Sequence, residues 1–515
     1  MSLFVTWFER IRSMRVAEAL GLTLVFGVLA RFLLFLGTGG RALSWYDLVF
    51  QTWPVTLACT VALIVIGMRW NHEREERAAG MAVTTLCLGL IIGILFSFTG
   101  LFSDGTSSPF VSPVLAIVSV LWGGLFPREA GPDIFLRVLP LVSSITVAVR
   151  LHVFRAPPRH VIRLTALALG ILHGIVFLPS ILIGIVGLLM RLSTNSLDEM
   201  LRTFLNVSGN GFWSSFVPER FGAAAGQQTQ VMVSALHASF LFILIAYGTI
   251  VTLAIKHREL FHIWLRRLLV PSALRLFLVS LVVWFAAGFA RGPIRFFPDA
   301  LATVLLIVAL LAWSTWLLLA RDLASASQDA ISHPDRWIPA GVVSLHRAEE
   351  VSHIALGFSL LSASLLGLPV ALPWILATVL LRIFSSQRLA SVIPLILLPL
   401  SVLFTSGKEI VAPLWIMHLT ESAIVTIVLA ELLPTFLANR SHRSSLAIAS
   451  ALLVFSVALT AQPILWMSTL PLLVLLLVFG SSRPDLFSRF LPRLFEGTLV
   501  LYLIVFLIFP RFLER

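Results

Sequence analysis

RDLASASQDAISHPDRWIPAGVVSLHRAEE, residues 321–350, is the most polar and most carboxylate-bearing stretch of a chain that is otherwise mostly apolar. It sets Asp322, Asp329 and Asp335 close to Arg336, just where the apolar run 298–320 ends. Carboxylates at the mouth of a helical membrane protein are costly to keep, so they begin as candidates for holding a charged ligand. The simpler alternative is a solvated loop with a Pro-rich turn.

The surrounding sequence makes the membrane setting plain. Of 515 residues, 58% are hydrophobic and 12% charged, a balance that a water-soluble chain of this length could not carry without aggregating. Apolar stretches long enough to cross a hydrocarbon core recur from residue 17 to the C-terminus with short loops between them, the pattern of helices rather than barrel strands. The expected fold class is an all-α polytopic membrane protein. Cys59 and Cys87 both fall inside apolar runs, which argues against a disulfide framework or a zinc site built on them. The opening MSLFVTWFERIRSMR lacks the order of a cleavable signal peptide, because its apolar piece precedes its arginines; the first helix is expected to stay in the mature protein.

A net charge of +12 would suggest nucleic acid in a soluble protein, but here the arginines sit mainly at the ends of apolar runs, where they snorkel and set topology. Nucleic acid is therefore not an expected partner, and the lipid bilayer is. Lys256 and Lys408 are the only lysines. Nearly all the positive charge is guanidinium, which stays ionised and suits phosphate groups.

Hydropathy places runs near 17–36, 52–69, 79–102, 108–125, 134–154, 162–190 and 230–255, followed by the amphipathic ELFHIWLRRLLVP. A second series of nine runs follows: 273–290, 298–320, 351–367, 369–384, 390–406, 411–437, 445–461, 463–480 and 494–510. In this second series arginine and lysine collect in alternate loops, including 321–347, which are assigned to the cytoplasmic side. In the first series the same rule fails unless one run does not span. The short 108–125, interrupted by Pro113, Gly123 and Gly124, is the one expected to be re-entrant or interfacial, giving six or seven N-terminal spans. The chain is accordingly divided into an N-terminal transmembrane region, 1–258, and a nine-span domain, 259–515.

The polar loop resembles the first signature of the UbiA superfamily of intramembrane prenyltransferases, N-D-x-x-D-x-x-x-D followed by a phrase like P-x-R-P-L-P-S-G-x-x-S-x-x-x-A. Asp322 and Asp329 match two of its aspartates, and Pro334, Arg336, Pro339, Gly341, Ser344 and Ala348 match the trailing phrase. Ser385, Arg388 and Leu389 echo a second phrase after the fourth run. The resemblance covers about the last 255 residues and implies a nine-helix bundle that transfers a prenyl group from an isoprenoid diphosphate to an acceptor in a bacterial-type inner membrane. It further implies Asp322 and Asp329 as catalytic and Mg²⁺-binding carboxylates, Glu431 as a third metal ligand, and Arg336 and Arg388 as diphosphate-binding groups. Magnesium bound by a few carboxylates together with substrate phosphate is natural chemistry for such a loop.

The sequence departs from the family at chemically important positions. Arg321 stands where the family has Asn and Ser325 where it has Asp. The second acidic cluster should fall near 431–445, where ELLPTFLANRSHRSS keeps Glu431 and offers Arg440, His442 and Arg443. Arg440 and Arg443 can grip a diphosphate but cannot ligate Mg²⁺. A second reading is therefore a non-catalytic scaffold or subunit of a membrane complex that binds lipid or a quinone-like molecule. A third is a secondary transporter, which would draw on His418 and Glu421, three apart on one face of run 411–437. His173 and His237 read as satisfied core histidines, Glu18 and Asp299 as acids at helix starts, EREER at 73–77 as a solvated turn, and the tryptophans as interfacial belts and packing.

Overall fold

In a computed structural model, the structure describes residues 14–37, 52–70, 74–98, 134–153, 156–178, 228–256, 258–268, 271–291, 298–326, 338, 341 and 343–383. To these it adds 393, 396–398, 423–424, 448, 450–451, 454, 474, 493, 496–501 and 504. Eleven helices are delimited among the described residues: α1 Val16–Gly37, α2 Trp53–Trp70, α3 Glu75–Phe98, α4 Ile134–Val153, α5 Pro158–Val176, α6 Gln228–Lys256, α7 Arg258–Leu268, α8 Pro271–Arg291, α9 Pro298–Ala324, α10 Leu345–Leu365 and α11 Leu368–Ile383. Six helical segments among them are long and apolar enough to cross a membrane: Val16–Leu33, Trp53–Trp70, Glu75–Leu95, Pro158–Val176, His237–Ile255 and Leu301–Ala324. The protein is an all-α, multi-pass membrane protein. Run 108–125, the polar stretch 191–227 and most of the runs from 390 onward lie outside the described residues.

The helix ends follow local chemistry rather than hydropathy alone. The run expected at 79–102 begins at Glu75, because Glu75 and Glu76 in the first turn are favoured by the helix dipole. The run expected at 351–367 begins at Leu345, because the Ser344 hydroxyl caps it by accepting the Arg347 N–H at 3.3 Å. The first described part of run 162–190 ends at Val176, where the Phe177 N–H bonds the His173 carbonyl.

The chain divides into two compact units, one comprising Met1–Thr252 with Leu319–Ile354 and the other Leu253–Leu318 with Ala355–Arg515. In the first unit α3 is the hub: it packs against α1, α2 and α4, while α5 packs against α2 and α4. Gly67 makes the close approach of α2 and α3 feasible, since a Cβ there would lie 2.9 Å from Ala78 Cβ. The unit buries an apolar core that includes Leu63, Val83, Leu86, Leu139 and Leu172, and its outer surface is apolar as well. Exposed Val25, Leu29, Phe32, Leu33 and Leu36 form a stripe along α1, spaced to lie on one helical face and suited to lipid. Thr23, Thr52, Thr56, Thr60 and Arg31 are buried instead. Thr60 donates to Thr23 at 3.2 Å and Arg31 Nε to Thr52 at 2.9 Å, tying α1 to α2 through polar groups that lipid could not satisfy. His237 Nε2 lies 2.9 Å from the Ile175 carbonyl, so it is the satisfied core histidine expected. His173 Nδ1 faces the Leu169 carbonyl at 3.2 Å and its ring stacks on Phe177.

The second unit is organised around tryptophan. Trp313 of α9 meets Trp316 and Trp374 edge-on, with ring centroids 4.8 and 5.6 Å away, and all three are buried. These rings belong to packing rather than to an interfacial belt, because edge-to-face contact and burial of so much apolar area stabilise more than an interfacial perch. Trp284 of α8 donates to Thr303 at 2.8 Å, and Ser359 of α10 donates to the Ala309 carbonyl at 2.8 Å. Arg275 near the start of α8 forms a 2.9 Å ion pair with Glu496, both side chains largely buried.

Candidate functional site

The helix α9 carries the first signature aspartate to its last turn. Asp322 is 3% exposed, a buried carboxylate at the end of a segment apolar enough to span. Beside it, Ser325 caps the helix: its hydroxyl and its N–H both bond the Arg321 carbonyl, at 2.9 and 3.0 Å. That gives Ser325 a local role where the family pattern has aspartate. A carboxylate in its place would face the negative end of the helix dipole, whereas a hydroxyl can donate to the last carbonyls.

Further along, the trailing phrase resolves into backbone requirements. The Gly341 N–H closes a turn on the Ile338 carbonyl at 3.0 Å, and Gly341 adopts φ +69°, a left-handed conformation that glycine enters without a Cβ penalty. Ser344 caps α10, and Ala348, fully buried, is small where the first turn of α10 packs. Gly-x-x-Ser-x-x-x-Ala thus encodes a turn, a cap and a close contact.

Arg347 sits at the third position of α10, where the helix dipole disfavours a cation. Two carboxylates compensate. Its guanidinium contacts Glu350 Oε2 at 2.8 Å and Glu75 Oε1 and Oε2 at 2.8 and 2.9 Å. Burial alone would lower the Arg347 pKa, but the hydrogen bond to Glu75 and the charges of Glu75 and Glu350 outweigh it and raise the group above its ordinary value. The other oxygen of Glu350 accepts the Ala17 N–H at 3.4 Å, an orphan donor of the first turn of α1. Glu18 accepts the Arg15 N–H at 3.3 Å, half of a capping box. The Met14 N–H bonds the Glu76 carbonyl at 3.2 Å. Three helix starts, those of α1, α3 and α10, therefore meet within the first unit and are neutralised by carboxylates that Arg347 links. EREER is accordingly no free turn: its last three residues open α3, and Glu75 binds a residue 272 positions away.

Of the residues expected to form the site, the structure describes Asp322. Asp329, Arg336, Arg388, Glu431, Arg440 and Arg443 lie outside the described residues, as do Pro334, Pro339, Ser385, Leu389, His418 and Glu421. Among the described residues no group of three His, Cys, Asp or Glu side chains is placed to hold a metal. Asp322 alone is short of the carboxylate set that Mg²⁺ takes.

Sequence reasoning missed Arg347, Glu350 and Arg31 as organising residues. Arg31 carried a signal, a charge inside the run 17–36. Ser344 three residues ahead of Arg347 marked the cap. Nothing local marked the partnership with Glu75.

No family model matches the sequence, and no curated protein matches it. Among solved structures, the chain is similar to one described as a digeranylgeranylglyceryl phosphate synthase in membranes, at 14% identity and a TM-score of 0.36, over 49% of this chain and 99% of that one. A superposition so loose leaves the function to be argued from the residues.

Proposed function

We propose that the chain is an intramembrane prenyltransferase of the UbiA type, moving a prenyl group from an isoprenoid diphosphate to an acceptor. The observation that carries this reading is Asp322, a carboxylate kept buried at the end of a membrane-spanning helix and followed in sequence by the signature turn, cap and small residue at Gly341, Ser344 and Ala348. Intramembrane acids are retained at a cost and mark function by default. In this reading 259–515 form the nine-helix catalytic bundle, Asp322, Asp329 and Glu431 hold Mg²⁺, and Arg336, Arg388, Arg440 and Arg443 hold the diphosphate. When bound, the metal would stabilise the charge that develops on the departing diphosphate. Residues 1–258 supply Glu75 and the Ala17 N–H that fasten the start of α10. The enzyme would sit in a bacterial-type inner membrane with its signature loop on the cytoplasmic side.

Arg321 and the helix-capping Ser325 favour the second reading, a non-catalytic lipid- or quinone-binding member that has kept the bundle and lost ligands. One experiment separates the two. Purified protein in nanodiscs is incubated with labelled geranyl, farnesyl and longer diphosphates, with and without Mg²⁺. The enzyme reading expects Mg²⁺-dependent binding and release of diphosphate, both lost in Asp322→Ala and Asp329→Ala proteins that remain folded. Absence of binding to every donor overturns it and leaves the scaffold.

A further inference from the structure

The helix α7 begins two residues after α6 ends at Lys256. Its sequence, RELFHIWLRRL, sorts onto two faces. Leu260, Trp264 and Leu268 recur every fourth residue with Phe261 beside them, and this face is turned into the second unit. Leu268 is buried, Trp264 Nε1 donates to Thr315 Oγ1 of α9 at 2.9 Å, and the Phe261 ring lies 5.9 Å from that of Trp264. On the opposite side Arg258, His262 and Arg266 also recur every fourth residue, and Arg258 and Arg266 are exposed. At 1.5 Å per residue the two arginines are about 12 Å apart along the axis. Glu259 is the exposed acid on the same side, and Leu265, 40% exposed, borders the stripe.

The depth of this helix is constrained at its start. The spanning segment His237–Ile255 stops just before it. A short helix that follows a span directly, with an apolar face anchored to protein and a guanidinium stripe facing out, is placed to meet lipid headgroups.

We propose that α7 is a binding surface for anionic phospholipid, with Arg258 and Arg266 engaging headgroup phosphates and Leu265 dipping toward the acyl chains. Charge complementarity selects this occupant. Guanidinium forks match phosphate oxygens, whereas a zwitterionic surface offers no net attraction to the stripe. The inference is independent of what the chain catalyses.

The test uses full-length protein in detergent titrated with short-chain phosphatidylglycerol, short-chain phosphatidylcholine or inorganic phosphate, with binding followed through thermal stability. Phosphatidylglycerol is expected to stabilise, the other two not, and added salt to weaken the effect. Arg258→Gln with Arg266→Gln should weaken apparent phosphatidylglycerol affinity by about fivefold per arginine. Glu259→Gln, which removes the opposing charge and leaves the anchoring face intact, should strengthen it. Equal stabilisation of wild type and both variants would overturn the proposal, as would an equal response to phosphatidylcholine or to free phosphate.

Discussion

Replacing Arg347 by Met keeps the aliphatic stem and removes the charge that joins three helix starts. Its two partners predict different costs. Glu75 is 33% exposed and the Arg347 side chain 48% exposed, so that contact is screened by water and its loss, tested by Glu75→Gln, should cost about 0.5 kcal/mol. Glu350 is 5% exposed and, among the described residues, keeps the 3.4 Å bond from Ala17 once Arg347 is gone. A hydrogen bond to a charged group contributes about 1.5–3 kcal/mol, and a buried carboxylate left without its counter-charge costs more. Arg347→Met should therefore cost about 3 kcal/mol. Adding Glu350→Gln to Arg347→Met should recover about half of that, because the neutral amide still accepts the Ala17 N–H. The assay is unfolding in nanodiscs of fixed composition, repeated at high salt, which should erase the Glu75→Gln deficit and leave that of Arg347→Met. If Glu75→Gln costs as much as Arg347→Met, or if Glu350→Gln gives no recovery, the stranded Glu350 carboxylate is not what makes the loss of Arg347 costly.

The other expectations follow from packing and pairing. Gly67→Ala should destabilise by about 1–3 kcal/mol, since its Cβ meets Ala78 Cβ at 2.9 Å and Cα at 3.4 Å, while Gly89→Ala should cost less because its 2.7 Å neighbour is the flexible Leu139 Cδ1; paired melting curves check the order. Breaking the buried Arg275–Glu496 pair by Arg275→Met should cost about 3–5 kcal/mol, and Arg275→Met with Glu496→Leu far less, read by the same unfolding assay. Gly341→Ala should cost about 1 kcal/mol from its left-handed φ, since a Cβ there meets nothing within 4 Å among the described residues; Gly341→Asn, which tolerates that conformation better, should recover part of the loss.

The membrane class and most described helices were legible in the sequence because hydrocarbon imposes one rule on every span: backbone groups must pair within the segment and side chains must be apolar. That rule acts locally, so runs such as 52–69 and 134–154 reappear as α2 and α4 nearly unchanged. The ends of α3 and α10 shifted because acids at a helix start and a serine cap act over three or four residues, below the scale of a hydropathy window. Gly341, Ser344 and Ala348 were visible as a spaced phrase, and their backbone roles could have been anticipated from residue type. Asp322 was marked by its carboxylate in an apolar setting, and the structure adds that it is buried.

By itself, then, the sequence determined a polytopic helical membrane protein, the positions of its described spans and the polar loop at 321–350, all consequences of short-range solvation and backbone geometry. Tertiary structure alone decided that Arg347 answers Glu75 from 272 residues away, that Arg31 is turned inward to Thr52, that Trp313, Trp316 and Trp374 pack together, and that Arg275 meets Glu496. Hydropathy carries no information about which polar group faces which. A charge inside a membrane protein needs a counter-charge or donor, but chain folding chooses the partner.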